Sequence, residues 1–285
     1  MRGEPPMRGE PPMRGGPEGP PRSAAARAAA RGLPPSTRVQ GRSLRTWSNP
    51  SGQSQVEIGT DGRPLDANME LWQGPGYTPR RMRVYSEDGR ARPFRTEMGT
   101  GPYPNTLAVR NTGPMEFPMD ATVVGGRGMP VEAHRASAAA TPSTTIQGGA
   151  ERNFPVDSSV ESVQVHLSTE GRNLQVKIEL LQGPNNVKQS IELDEDDGYN
   201  RPFSCTFDTL GYGCVVRIEN TGPMEFPITA SVVPQRGTGR AMYDDRRPMM
   251  GGGGGYTERR GRYDRGYGEP GWWESPSGGQ HPTMY

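Results

Sequence analysis

Apolar side chains, cysteine, histidine and lysine are all scarce. Hydrophobic residues make up 31% of the 285-residue chain, whereas Gly and Pro number 40 and 30, a proportion close to that of low-complexity sequence. A single large core is therefore not expected, and any core must sit in a minority of the chain. No run approaches the 18 or so apolar residues of a membrane span, and the N-terminus lacks the apolar segment of a secretory signal. These absences predict a soluble, non-secreted protein without direct membrane insertion. Cys205 and Cys214 are too few for a disulfide scaffold, and His134, His166 and His281 are too scattered to complete a zinc or iron–sulfur site. No metal is expected. Of the 33 basic residues only Lys177 and Lys188 are lysine. Nearly every positive charge is thus a guanidinium suited to bidentate contact with carboxylates and phosphates, although genomic base composition would produce the same bias.

What the chain does contain is a duplication. Residues 56–124 align without a gap on residues 165–233, at an offset of 109, with about 28 of the 69 positions identical. Leu71-Trp72-Gln73-Gly74-Pro75 answers Leu180-Leu181-Gln182-Gly183-Pro184. Asp88-Gly89 and Arg92-Pro93-Phe94 answer Asp197-Gly198 and Arg201-Pro202-Phe203. The octapeptide Asn111 to Pro118 recurs intact from Asn220 to Pro227.

Within each copy apolar residues alternate with polar ones and turn residues interrupt them every eight to twelve positions or so, the pattern of an antiparallel all-β domain. In the second copy strands are expected around Val163–Leu167, Leu174–Leu180, Ile191–Leu193, Phe203–Phe207, Cys214–Ile218 and Ile228–Val232. Six short strands make a small β-sandwich or jelly-roll-like module. The expected organisation is an extended basic Pro/Gly/Arg arm over 1–50, independently folded β-modules over 51–124 and 161–234, a flexible linker over 125–160, and a Gly/Arg/Tyr-rich tail over 235–285. The arm and tail are expected to be disordered alone and extended on assembly.

Charge separates these parts. Residues 1–50 carry 9 Arg and 3 Glu, or +6; residues 51–150 carry 10 Arg and 10 acids; residues 151–234 carry 6 basic groups and 13 acids, or −7. Either the arm folds back onto the acidic module or the two ends address different partners. The second reading is preferred, because self-neutralisation leaves two such different modules without a use. In the arm Arg2, Arg8, Arg14, Arg42 and Arg45 are the candidate contacts to acidic partner surfaces.

No Gly-x-Ser-x-Gly, phosphate-binding Gly-x-x-x-x-Gly-Lys or His-Glu-x-x-His occurs, so no enzyme is expected. The acidic run Asp194 to Asp197 lacks the ligand spacing of a calcium loop and reads as a solvated hairpin tip. Cys205 and Cys214, which replace Thr96 and Asn105, read as buried thiols, with a disulfide or pigment attachment as alternatives. In the octapeptide the Asn-Thr-Gly-Pro half reads as a turn with positive φ at Gly113 and Gly222. The half carrying Met115 and Phe117, or Met224 and Phe226, either plugs a core end or forms a contact surface. Trp72 and Tyr77, replaced by Leu181 and Asn186, suggest a partner specific to the first module. The repeated Arg92, Phe94, Arg201 and Phe203 and the tail pair Trp272 and Trp273 complete the candidate partner-binding set.

On the Leu-Trp-Gln-Gly-Pro, Asp-Gly, Arg-Pro-Phe and Asn-Thr-Gly-Pro-Met-Glu-Phe-Pro signatures, the doubled module resembles the γ-chain-binding β-domains of red-algal phycobilisome rod linkers. The resemblance covers about half the chain. It implies a non-enzymatic scaffold that docks phycoerythrin α/β hexamers, their γ subunit and other linkers for light-energy transfer. It further implies a place in the chloroplast on the stromal side of the thylakoid membrane, and bilins carried by partner subunits with no cofactor on this chain. Two readings from other classes stand beside it. The Arg259-Arg260-Gly261-Arg262-Tyr263 segment resembles the arginine–glycine tails of RNA-associated proteins, but the net charge is only +1 and no aromatic–basic platform is evident, so no nucleic-acid partner is expected. A carbohydrate-binding sandwich would need exposed aromatics equivalent in both copies, and Trp72 has none.

Overall fold

Alternation of apolar and polar residues becomes alternation of buried and exposed side chains. In the segment Arg80–Ser86 every second residue is buried, and Leu65–Trp72 and Cys214–Asn220 alternate likewise, because successive side chains of a strand point to opposite faces. The computed structural model describes Gly32 and residues 34–49, 52–101, 104–126 and 142–235. Among them sixteen strands run in chain order. Those of the first repeat are β1 (Thr37–Val39), β2 (Leu44–Asn49), β3 (Gly52–Gly59), β4 (Leu65–Trp72), β5 (Arg80–Ser86), β6 (Phe94–Gly101), β7 (Asn105–Asn111) and β8 (Met119–Gly125). Those of the second are β9 (Thr144–Ile146), β10 (Glu151–Pro155), β11 (Ser162–Ser168), β12 (Leu174–Gln182), β13 (Val187–Glu195), β14 (Phe203–Asp208), β15 (Cys214–Asn220) and β16 (Ile228–Gln235). The chain is all-β, as its alternation predicts, and forms a β-sandwich.

The two repeats are not separate bodies, which corrects the expectation of independently folded modules. One eight-stranded sheet runs β1-β8-β3-β6-β14-β11-β16-β9, the other β10-β15-β12-β13-β5-β4-β7-β2. Both orders read as palindromes of equivalent strands, and both sheets cross from one repeat to the other. In the first sheet β6 pairs with β14, with Cys205 opposite Thr96. In the second β5 pairs with β13, with Gln189 opposite Ser86 and Glu195 opposite Arg80. Shifting any of these pairs by 109 returns another pair of the same ladder, so a pseudo-two-fold axis passes through Thr96/Cys205 in one sheet and Arg83/Glu192 in the other. The scarcity of apolar residues did not prevent a shared core. One buried cluster takes Val56, Phe94 and Val109 from the first repeat and Val165, Phe203 and Val216 from the second.

Each repeat is also longer than the sequence pattern indicates. Residues 37–49, expected in an extended arm, form β1 and β2, which pair with β8 and β7. Residues 144–155, expected in a linker, form β9 and β10 on β16 and β15. Thr37 answers Thr144 and Gln40-Gly41 answers Gln147-Gly148, at an offset of 107 and not 109. The reason these short hairpins fit is steric: a Cβ on Gly41 would lie 1.9 Å from the Pro114 carbonyl oxygen, and one on Gly148 would lie 1.8 Å from that of Pro223. Glycine alone permits that approach. Residues 1–31, 127–141 and 236–285, with the expectations of disorder and flexibility attached to them, lie outside the described residues.

Candidate functional site

Two kinds of surface carry the chemistry: the seam between the repeats and the octapeptide tips. At the seam, Arg80 faces inward with Met82 and Val84, yet its side chain is fully buried. Burying a guanidinium requires a partner, and Glu195, itself fully buried, supplies one, accepting from Arg80 Nε at 2.5 Å. Arg80 Nη2 also donates to the Arg201 carbonyl at 2.8 Å. Arg201 Nε donates to the second Glu195 oxygen at 2.6 Å and pairs with Asp196, which also accepts from the Tyr77 hydroxyl. The run Asp194 to Asp197 is thus not a solvated tip throughout. Glu195 is one of the most buried groups in the chain, because the pleat turns it into the seam.

The mirror position is built differently. Ser86 and Gln189 stand where Glu195 and Arg80 stand at the other end. Ser86 donates to the Arg92 carbonyl at 2.9 Å, and the buried Gln189 amide finds no hydrogen-bond partner among the described residues. Arg92 crosses the seam here, donating at 3.1 Å to Gln182 Oε1 and to the Leu210 carbonyl. In the other sheet Arg95 makes a bidentate pair with Asp208, at 2.8 and 2.9 Å. Burial alone would lower the Arg95 pKa, but Asp208, with Glu57 beside it, holds it above its ordinary value. The equivalents of Arg95 and Asp208, at an offset of 109, are Ser204 and Gly99, which form no such pair. The outer face over the axis is a shallow groove of mixed charge that includes Glu70, Arg81, Arg83, Lys177, Glu192 and Asp194.

The tips leave opposite ends of the slab, since β7 and β15 run antiparallel through the ladder β7-β4-β5-β13-β12-β15. Each is anchored by its asparagine. Asn111 Nδ2 donates to the Val39 carbonyl at 3.1 Å and the Phe117 carbonyl at 2.8 Å, while Oδ1 accepts from Gly113 N at 2.9 Å. Asn220 repeats all three bonds with Ile146, Phe226 and Gly222. Gly113 and Gly222 do not adopt the expected positive φ. A Cβ there would sit 3.1 Å from the asparagine oxygen, a tight contact that would push on the anchoring side chain. Met115 and Met224 are exposed at 68% and 76%. Phe117 and Phe226 are half-buried, with Arg63 and Arg172 at 4.9 and 5.5 Å from their ring centres.

The other candidate residues divide sharply. Phe94 and Phe203 are core residues and present nothing to a partner, because the repeated Arg-Pro-Phe places the ring on the inward register of β6 and β14. Trp72 is half-buried, its indole donating to Glu70 at 2.7 Å, whereas Tyr77 is exposed at 47% and serves the seam. Arg42 and Arg45 are exposed, on the β1–β2 turn and on β2. Arg2, Arg8, Arg14, Trp272 and Trp273 lie outside the described residues. Cys205 and Cys214 are free and buried in different sheets; burial pushes the Cys205 thiol well above its ordinary pKa and raises that of Cys214 against the opposing charge of Arg92. No cluster of metal-ligating side chains occurs among the described residues. Sequence reasoning missed Arg80, Glu195, Arg95 and Asp208, although one signal was present: β5 and β13 share no residue at equivalent positions, while the flanking segments keep Gln-Gly-Pro on one side and Asp-Gly and Arg-Pro-Phe on the other.

Over residues 29–234 the chain matches the family model of the diatom pyrenoid shell protein. The chain belongs to that family. No curated protein matches it. The match overturns the resemblance to phycobilisome rod linkers and with it the reading as a light-harvesting scaffold for phycoerythrin hexamers and their γ subunit. The signatures behind that resemblance are the module's own turns and core positions, so they mark a fold and not a phycoerythrin site. The RNA-associated and carbohydrate-binding alternatives find no support either. A pyrenoid lies within the chloroplast, where the sequence reading also placed this protein.

Proposed function

We propose that the chain is a non-catalytic building block of the shell around the pyrenoid, on the stromal side of the thylakoid membranes, with further copies of itself and other pyrenoid components as partners and no cofactor of its own. The observation that carries this reading is the form of the slab's ends. Among the described residues each sheet stops at a strand with a single neighbour, β1 and β9 in one, β2 and β10 in the other, with no described strand on the far side of any of the four. The ends are unlike in charge. Around β2 stand Arg38, Arg42, Arg45 and Arg110, whereas the β10 side is mixed: Leu44 and Arg110 are replaced there by Glu151 and Glu219, Arg45 is kept as Arg152, and Arg217 stands where the first repeat has Ala108. Such ends favour the basic β2 edge meeting the edge that carries Glu151 and Glu219. Family membership supports the same reading.

Electron microscopy of the full-length protein at low salt tests it. The expected result is extended sheets one slab thick that dissolve as salt rises and fail to form in E151R/E219R. Particles that stay single at every concentration, together with a tagged protein spread evenly through the chloroplast, would overturn it.

A further inference from the structure

Along β5 and β13 the seam sets arginines of the first repeat against carboxylates of the second, with one ion pair of the opposite polarity, Lys188 with Glu87, just beyond the end of β5. Arg80, Arg81 and Arg83 of β5 stand opposite Glu195, Asp194 and Glu192 of β13, and Arg95 of β6 pairs with Asp208 of β14. We infer that the seam is a sorting interface, which accepts an unlike repeat and rejects a like one.

The pseudo-two-fold axis makes the alternatives explicit. Two first repeats joined by the same ladder would set Arg83 against Arg83 on the axis and bury Arg80 opposite Ser86 at both ends. Two second repeats would set Glu192 against Glu192 and Glu195 against Gln189. Like charges directly opposite are unfavourable in a sheet, and a buried guanidinium without its carboxylate is more so. Glu195 keeps Arg201 of its own repeat in any pairing, so the buried discrimination rests on Arg80, which only the unlike pairing places beside a carboxylate. Backbone bonding does not discriminate: Glu87 N donates to the Lys188 carbonyl at 2.9 Å, and at the mirror position Asp196 N donates to the Pro79 carbonyl at 3.0 Å. The ladder would close on any repeat, so specificity lies in the side chains. Sorting of this kind, by repulsion of the wrong partner, is the logic of charged positions flanking a coiled-coil seam. Its consequence is that every slab has one end of each kind even where many copies crowd together. The inference stands apart from the shell reading and holds whether or not that reading survives.

The test uses the full chain with a protease site placed within residues 127–141 and cut after folding. The halves are left to exchange in mild denaturant and weighed by native mass spectrometry. The expected result is that unlike pairs outnumber like pairs by about tenfold or more. Like pairs as abundant as unlike ones, or halves that separate into single repeats, would overturn the inference. In a second arm, R81E/R83E is expected to loosen the unlike pair and the further change E192R/D194R to restore it. All four positions are exposed, so the quadruple variant keeps the buried Arg80–Glu195 pair. Failure of that restoration would equally overturn the inference.

Discussion

The first and second repeats carry the same strands in the same order, yet they keep and change different things. Turns and core positions are retained: Gly74 and Gly183 occupy the same left-handed position, with φ of 75° and 78°, and Phe94 and Phe203 fill the same buried site. The seam strands have diverged completely, with Arg83 answered by Glu192 and Ser86 by Glu195. Positions that face the repeat's own interior are held by packing, which a volume change upsets. Positions that face the other repeat answer to that neighbour, and a basic strand is as good a solution as an acidic one provided the partner is its complement. The charge imbalance of the second repeat is thus used inside the molecule. Part of it neutralises arginines of the first.

The sharpest way to break the comparison is to remove a shared core residue. Phe94→Ala and Phe203→Ala should each lower stability by about 3–5 kcal/mol, in one cooperative urea transition, because the core is continuous. Two separate transitions would show repeats that fold apart. Next, Glu195→Gln leaves the Arg80 guanidinium buried beside a neutral amide and should also cost about 3 kcal/mol. Ser86→Ala at the mirror position loses only hydrogen bonds to carbonyls and should cost about 1 kcal/mol, so equal costs would deny the asymmetry of the seam. Asn111→Ala and Asn220→Ala remove matching anchors, and each should cost about 1–3 kcal/mol, with the two values alike. Smallest, Phe117→Ala and Phe226→Ala should cost about 1 kcal/mol in thermal melts, since both rings are half-exposed under an arginine. A core-sized loss would make these residues structural and remove the tips from the binding surfaces.

Most of the strand pattern was legible from the sequence. The second-copy strands around Val163–Leu167, Leu174–Leu180 and Cys214–Ile218 lie within β11, β12 and β15, because half-buried strands write their burial as alternation. The outer hairpins were not legible. β1 and β9 have three residues each, too few for a period, and the repeat offset changes by two residues between the outer hairpins and the rest of each repeat. The fusion of the sheets was hidden for another reason. The run Asp194 to Asp197 reads as a solvated hairpin tip, and only the facing strand, remote in sequence, reveals that Arg80 and Glu195 neutralise one another. At the tips the conserved octapeptide was visible. Which of its residues were exposed was not, since Met115 and Phe117 are both apolar and only the fold separates them.

Hydrogen exchange on the full-length chain tests the central claim, that the repeats share two continuous sheets, most directly. In an antiparallel strand alternate amides bond to either neighbour, so half of those in β5 and β13 depend on the seam. All the amides of Arg80–Ser86 and Val187–Glu195 engaged in the ladder are expected to be protected to the same degree as those of β4 and β12. Rapid exchange at every second position of β5 and β13, as at a solvent-exposed edge, would contradict it.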